Sequence, residues 1–453
     1  MKAKEFRKNA NNKYTESPKK YNKFFKGNKE DDLKIIGITG SKGKSGVAYI
    51  LNEYLKKLGY KTVMYSSIMI DSELSYNSKS ESIETPLRDE QMLLDAVSEA
   101  LDYEADYLIL EINESTLNKH LIDNLDFDVR VLTNIVPKQN DIIYSNYVEL
   151  KKSFFRTANK NETLIMGSVD PDTISLYNEL KDKKIVTFST EYLSKRYSLK
   201  HNDVDYYINA KDLLFESING INFNIVDKNK VHNFNSTLLF GYNALNIACV
   251  YSILNELKIL DVDKLKEIIK NITIPGREEI IKTNGIKIII SLTCVPHLEK
   301  LKQFKDNGEV NKVIIITGAS GYGYVNWHNE VNLEKYLEDK EYSMKFAYNY
   351  IGQYADKVYV TVTDIGAVNV DEWLDIQFNL LPSEIFKEKI SDRKESIRQS
   401  IINANQNDII LVCGRGNRRI MCDGINHISN FIDKDIILEI IKDLGWGVEN
   451  VSS

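Results

Sequence analysis

Residues 34–45 read Lys-Ile-Ile-Gly-Ile-Thr-Gly-Ser-Lys-Gly-Lys-Ser. An apolar, β-branched run (Ile35, Ile36, Ile38) leads into a glycine-rich turn. Apolar residues at helical spacing follow: Val47, Ile50, Leu51, Leu55 and Leu58. Strand, glycine turn and helix, in that order, are the setting a phosphate loop needs. The glycines let backbone N–H groups turn inward onto phosphate oxygens, and the helix N-terminus adds positive potential. Gly40, Ser41, Lys42, Gly43, Lys44 and Ser45 are therefore the candidate nucleotide-binding residues. Lys44 can reach the β- and γ-phosphates, and the Ser45 hydroxyl can bind Mg²⁺. The general motif has a glycine where this chain has Ile38. The compact Gly-x-x-Gly-Lys-Ser form belongs to a narrower group of ATPases. ATP and Mg²⁺ are the expected cofactors.

Strand-like and helix-like stretches alternate on either side of the loop. Residues 61–66, 106–111 and 129–134 read as strands and 90–101 as a helix, which predicts a mainly parallel sheet with helices on both faces. Residues 197–227 alternate in shorter strands, with turn residues at 217–220, and read as a hairpin-rich extension of that sheet. Helices are expected at 242–257 and 263–270. Pro275-Gly276-Arg277 punctuates the chain before a new series of strands at 287–291, 312–317, 357–363 and 408–413. Helices at 331–350 and 393–405 separate them. The expected architecture is α/β, with a basic flexible tail (1–32), a P-loop ATP-binding central domain (33–275) and a smaller Rossmann-like C-terminal domain (276–453).

Composition narrows the function classes. Lys and Arg number 59 against 65 Asp and Glu, a formal charge of −6 over 453 residues. General nucleic-acid binding does not fit that balance. Apolar residues make up 43% and charged residues 27%, as in soluble globular proteins. No run of about 18 apolar residues is present, so no membrane span is expected. The first 30 residues lack the apolar core of a signal peptide, and a cytoplasmic location is expected. The four cysteines form neither a disulfide framework nor a paired zinc motif.

Several further segments, in order, resemble the Mur ligase superfamily, ATP-dependent enzymes that join an amino acid to a carboxylate. Glu84-Thr85-Pro86 resembles its Thr-Thr-Pro segment, and Glu111-Ile112-Asn113-Glu114-Ser115 its Glu-Val-Ser-Ser-His segment. Thr133-Asn134, Tyr147 with Lys151, and Gly241 to Asn246 match three more. Pro275-Gly276-Arg277, Asp392-Arg393 and Gly414-Arg415-Gly416 match later ones. The resemblance implies transfer of the ATP γ-phosphate to a carboxylate, then attack of an amine on the acyl phosphate. It implies Lys44, Glu111, Lys151 and Arg277 as catalytic residues, with Ser45 and Glu111 as Mg²⁺ ligands. Lys151 matches a lysine that the family carbamoylates; its place in a Lys-Lys pair reads equally as a solvated helix face. Asn243 and Asn246 would contact adenine, and Arg277 the γ-phosphate. The partners implied are a small-molecule or peptide carboxylate and an amino acid or amine, in a cell-wall context.

The chain also departs from the family pattern. Gln139 stands where the family has a metal-binding His, and Ser291 where it has a ribose-binding Asp. His297, nearby, reads as a surface residue at a helix start. The Gly-Gly-x-Arg-Asp loop becomes Gly318 to Gly323 without its charges, and only Asp364 remains of Asp-Asn-Pro-Arg. Few residues precede Gly37, and the UDP-sugar domain of stem-peptide ligases is expected to be missing. These departures motivate a second expectation, a nucleotide-binding partner or regulatory subunit with degenerate ligase chemistry and a protein partner.

Overall fold

The computed structural model describes residues 33–72, 87–136, 146–196, 204–208, 216–228, 230–321, 333–366, 368–422 and 428–449, with Lys2, Lys4 and Glu5. Nearly all of the expected N-terminal tail, Glu84-Thr85-Pro86 and Gln139 lie outside these residues. The chain divides into two compact units, Met1–Glu216 with Gly220–Ile272, and Ser217–Asn219 with Thr273–Ser453.

In the first unit β1 is Lys34–Thr39, β2 Thr62–Tyr65, β3 Ile70–Asp71, β4 Tyr107–Glu111, β5 Val129–Leu132, β6 Thr163–Gly167, β7 Ile185–Thr190 and β8 Tyr206–Ile208. A short β9 (Glu216–Ser217) precedes the hairpin of β10 (Gly220–Asp227) and β11 (Lys230–Ser236). The sheet order is β11-β10-β8-β7-β6-β5-β1-β4-β2-β3. Strands β2, β4, β1, β5, β6, β7 and β8 run parallel, and β10 and β11 extend the sheet antiparallel. The turn read at 217–220 joins β9 to β10, while β11 lies beyond the 197–227 stretch read as the extension. The central strands are continuous apolar runs because helices cover both faces of a parallel sheet. Ile36, Ile38, Leu108 and Ile109 are accordingly buried.

Lys44–Lys57 forms the first long helix. It buries Val47, Ile50, Leu51, Tyr54 and Leu55 on one face, and Lys56 and Lys57 close its last turn, where cations complement the helix dipole. The helix Tyr242–Glu256 has apolar residues on most sides and is buried over most of its length. Asp89, Asp170 and Asp261 each accept backbone N–H bonds at a helix start, the usual work of an N-cap carboxylate.

The second unit is built on β12 (Arg277–Thr283), β13 (Ile286–Ser291), β14 (Val313–Thr317), β15 (Lys357–Val360), β16 (Phe386–Lys389) and β17 (Ile409–Cys413). A hairpin of β18 (Ile420–Cys422) and β19 (Ile428–Asn430) and the short β20 (Val448–Glu449) complete it. The sheet order is β16-β15-β14-β17-β13-β12-β20. Strands β13 to β17 run parallel, while β12 folds back antiparallel on β13. The strand expected at 357–363 stops at Val360. Thr361 to Asp364 leave the ladder but stay buried, which carries Asp364 into the interior. No helix among the described residues is long and apolar enough to cross a membrane.

Candidate active site

The phosphate loop lies between β1 and the helix Lys44–Lys57. Gly43 has φ +87° and Gly40 φ +144°, a region L side chains rarely enter. Space demands glycine as well. A Cβ on Gly43 would lie 2.5 Å from Asn246 Oδ1, and one on Gly40 would lie 1.9 Å from Thr133 Oγ1. The loop is clamped from the end of β5. Thr133 Oγ1 donates to the Lys42 carbonyl (2.5 Å), and Asn134 both accepts from Lys42 N–H and donates to its carbonyl, each at 3.0 Å. Tyr147 O–H donates to Ser41 Oγ at 2.6 Å.

Cations and carboxylates gather around this loop. Lys44 Nζ donates to the Gly40 carbonyl at 2.8 Å, and Lys151 Nζ to the same oxygen at 3.0 Å. Ser45 Oγ lies 3.1 Å from Glu111 Oε1. Glu111, at the C-terminal end of β4, also accepts from Ser66 Oγ (2.7 Å) and Ser67 N–H (2.8 Å) through Oε2. Lys151 is fully buried, which overturns the solvated-face reading. Its ammonium lies 2.7 Å from Glu114 Oε1 and 4.8 Å from the centre of the Tyr147 ring. Burial works to raise the Glu114 carboxyl, but Lys151 and Lys44 together outweigh it and hold the pKa down to about 2.

Asn243 and Asn246 share one helix face, as their spacing implies. Asn246 Nδ2 donates to Asn243 Oδ1 (3.0 Å), and Asn243 Nδ2 donates to the Leu239 carbonyl (2.6 Å). Both are buried. The pair forms a floor beneath Gly43, a place that spacing alone does not reveal.

Ser45 and Glu111 together offer hard oxygen donors beside the loop, a set that suits Mg²⁺. Among the described residues no group of three or more His, Cys, Asp or Glu side chains could hold a metal. The residues therefore fit an ion that takes its remaining ligands from water and substrate phosphates.

In the second unit Arg277 opens β12, paired in register with Ser291, and its Nη1 donates to the Gly276 carbonyl at 3.3 Å. Around Ser291 the structure corrects the expectation for His297, which is buried rather than on the surface. Its Nε2 lies 3.1 Å from Ser291 Oγ and 3.2 Å from Glu278 Oε1, and Ser291 Oγ donates to the same carboxylate oxygen at 3.2 Å. A carboxylate is thus present at Ser291 after all, supplied by the neighbouring strand. Asp364 is wholly buried between two arginines, with Arg415 Nη1 and Arg418 Nη1 each at 2.7 Å. Arg393 makes a bidentate pair with Asp433, and both are fully buried. Lys340, from the helix Leu333–Tyr354, lies 3.3 Å from Ser320 Oγ, and burial lowers its pKa to about 8. The sequence analysis missed Glu114, Glu278 and Lys340, each of which reaches its partner only through folding.

Comparison with known proteins agrees with this arrangement. Residues 38–254 match the Mur ligase middle domain. The chain is similar to the UDP-N-acetylmuramoyl-L-alanyl-D-glutamate–2,6-diaminopimelate ligase of Caldanaerobacter subterraneus subsp. tengcongensis, at 24% identity over 92% of this chain and 80% of the relative. The enzyme of the same name from Buchnera aphidicola is 27% identical over 91% of this chain and 77% of its own length. Among solved structures, the MurF ligase of Thermotoga maritima in complex with ADP superposes with a TM-score of 0.60 at 15% identity, covering 91% of this chain and 80% of that one. The folylpolyglutamate synthase of the same organism gives 0.55 at 15% identity, over 84% and 86%. With residues 38–254 matched to the Mur ligase middle domain and its fold shared with these ligases, the chain is similar to members of the Mur ligase superfamily.

Proposed function

We propose that the protein is an ATP-dependent ligase that joins an amino acid or amine to a carboxylate through an acyl phosphate. The observation that carries this reading is the Ser45–Glu111 oxygen pair, 3.1 Å apart, beside a phosphate loop that holds Lys44. Bringing a carboxylate to a triphosphate sets two anions against each other, and the site must offset that repulsion. Lys44 and the loop N–H groups hold the phosphates and favour charge on the transferred group. Ser45 and Glu111 would hold Mg²⁺, which neutralises charge on the phosphate oxygens when bound. Arg277 is proposed to meet the γ-phosphate, and Asn243 and Asn246 to support adenine binding through the loop floor. The relatives' names place them on a nucleotide-linked muramoyl peptide and an amino acid. A carboxylate of a peptide or of a cell-wall precursor is the corresponding substrate class here, and the cytoplasm the corresponding location.

The test is release of phosphate from ATP with pools of candidate acids and amino acids, with hydroxylamine added to trap an acyl phosphate as a hydroxamate. Acid-dependent release and hydroxamate formation are expected. If no acid in broad pools stimulates either signal, the ligase reading fails.

A further inference from the structure

Glu278 has φ +54°, a region that residues with a side chain rarely enter. It sits at a β-bulge: Arg277 pairs in register with Ser291, Glu279 pairs with Ile290, and Glu278 is the extra residue between them. Side chains alternate between the two faces of a strand, so Glu279, Ile281 and Thr283 share one face, and all three are buried. An unbroken ladder would put residue 277 on that face as well. Pairing with successive residues of β13 places Arg277 and Glu279 on opposite faces instead. The bulge therefore turns Arg277 off the core face, where it stays partly exposed. Its guanidinium lies against the loop after β17, where a Cβ on Gly416 would come 3.3 Å from Arg277 Nη1. A glutamate persists in so unusual a conformation only where its surroundings hold it. The Glu278 side chain is 7% exposed, and its Oε1 accepts from the Ser291 hydroxyl and lies beside His297 Nε2, each at 3.2 Å. Ser291 stands opposite Arg277, and His297 ends the 3₁₀ turn Val295–His297 that follows. The carboxylate thus ties the bulged residue to the strand end that Arg277 faces.

We propose that Glu278 is a positioning residue for Arg277: tied to Ser291 and His297, its carboxylate holds the bulge that keeps the guanidinium off the core face and available to the γ-phosphate. The inference rests on the reading of Arg277 as the γ-phosphate contact. An ionised carboxylate suits the task, because one oxygen accepts from a hydroxyl and an imidazole N–H together, and such charge-assisted bonds are stronger than neutral ones. A glutamine of the same shape accepts more weakly while the left-handed backbone strain remains, so the bulge loses its support. Glycine differs from both. It takes a φ near +54° without strain and can keep the bulge with no carboxylate at all.

Calorimetric affinities of the full-length chain for ADP and for a non-hydrolysable ATP analogue, both with Mg²⁺, test it. On the reading above Arg277 touches only the third phosphate, so the ratio of the two affinities isolates its contribution. Arg277→Ala should lower the analogue-to-ADP ratio about 10- to 100-fold. Glu278→Gln should lower it about 5- to 10-fold, with ADP affinity unchanged. Added to Arg277→Ala, it should lower the ratio no further, since both changes remove one contact. Glu278→Gly should recover part of the ratio lost in Glu278→Gln. An unchanged ratio in Glu278→Gln overturns the proposal. So does an equal loss of both nucleotides, which would mean that the carboxylate binds the nucleotide itself, and so does a glycine variant no better than the glutamine one. Should Glu278→Gln not fold, Glu278→Ala against Glu278→Gly makes the same comparison, because alanine keeps the strain and glycine removes it. A ratio unmoved by Arg277→Ala strikes the γ-phosphate reading and the proposal with it, whereas a fall in Arg277→Ala with none in Glu278→Gln strikes the proposal alone.

Discussion

Two charge clusters, one in each unit, are handled in opposite ways. In the first, Lys44, Lys151, Glu111 and Glu114 meet around an open glycine loop, and their partners include backbone atoms of that loop. In the second, Arg393 is closed on Asp433 and Arg415 on Asp364, with no exposure of any of the four side chains. A buried pair of the second kind contributes little net stability, because desolvation consumes most of the attraction. It does make each partner indispensable to the other. The cluster at the loop thus holds charge where it can meet a ligand, whereas the two arginine pairs of the second unit, like Arg130 with Glu162 in the first, hold it where it fixes the packing.

The sharpest way to break this contrast is Asp433→Ala, which leaves Arg393 charged and uncompensated in the interior. A loss of about 3–5 kcal/mol in the stability of the second unit is expected, with the nucleotide affinity of the first unit retained. Denaturant melts and nucleotide titration check it; an exposed-pair cost below about 1 kcal/mol would contradict it. Next in size is Lys44→Ala, for which nucleotide binding should weaken by about 2–4 kcal/mol, or 30-fold and more, without a change in melting. ATP affinity that survives the substitution would remove the phosphate-loop assignment.

Glu99 tests the first unit away from its site. Burial raises its pKa to about 7, with Asp95 and Asp102 adding to the shift, although Tyr65 and Ser72 oppose it by hydrogen bonding. The folded protein therefore holds a proton that the unfolded chain gives up near 4.5. Stability from this group is present below pH 4.5 and lost as pH rises to about 7, a change of about 3 kcal/mol. Glu99→Gln should stabilise the first unit by roughly that amount at pH 8, and the gain should vanish at pH 4. A gain independent of pH would exclude the charge as its cause. The smallest effect expected is at the loop floor. Gly43→Ala should cost about 1–2 kcal/mol through its left-handed backbone and its approach to Asn246. Combining it with Asn246→Ala should return part of that cost, while additive losses would show that the floor is not in contact.

Much of this architecture is legible in sequence. The strand at 409–413 is an unbroken apolar run and those at 34–39, 107–111 and 286–291 are mostly apolar, and such runs survive folding into a buried sheet. The phosphate loop is equally legible, because contiguous residues form it. β6 and β7 and the helices Pro171–Glu179 and Val370–Leu380 were not read, since their apolar stretches are short and interrupted by polar residues. The site residues that escaped notice share one cause. Glu114 resembles an ordinary acidic residue in a first helical turn, and Glu278 an ordinary β-strand carboxylate. Only the pairing of distant segments puts the one on Lys151 and the other on Ser291. Substitution at a family position is thus readable from sequence, whereas its replacement from a different segment is not.

The floor under Gly43 also bears on how the protein is made. The loop leaves the ribosome about 200 residues ahead of Asn246, which belongs to the last helix but one of the first unit among the described residues. Synthesis proceeds at about 5–20 residues per second and domains fold as units. A nascent chain therefore carries its nucleotide cradle unfinished for most of the time the first unit is being built. The loop gains its Asn246 floor only after every strand of the first sheet has been made.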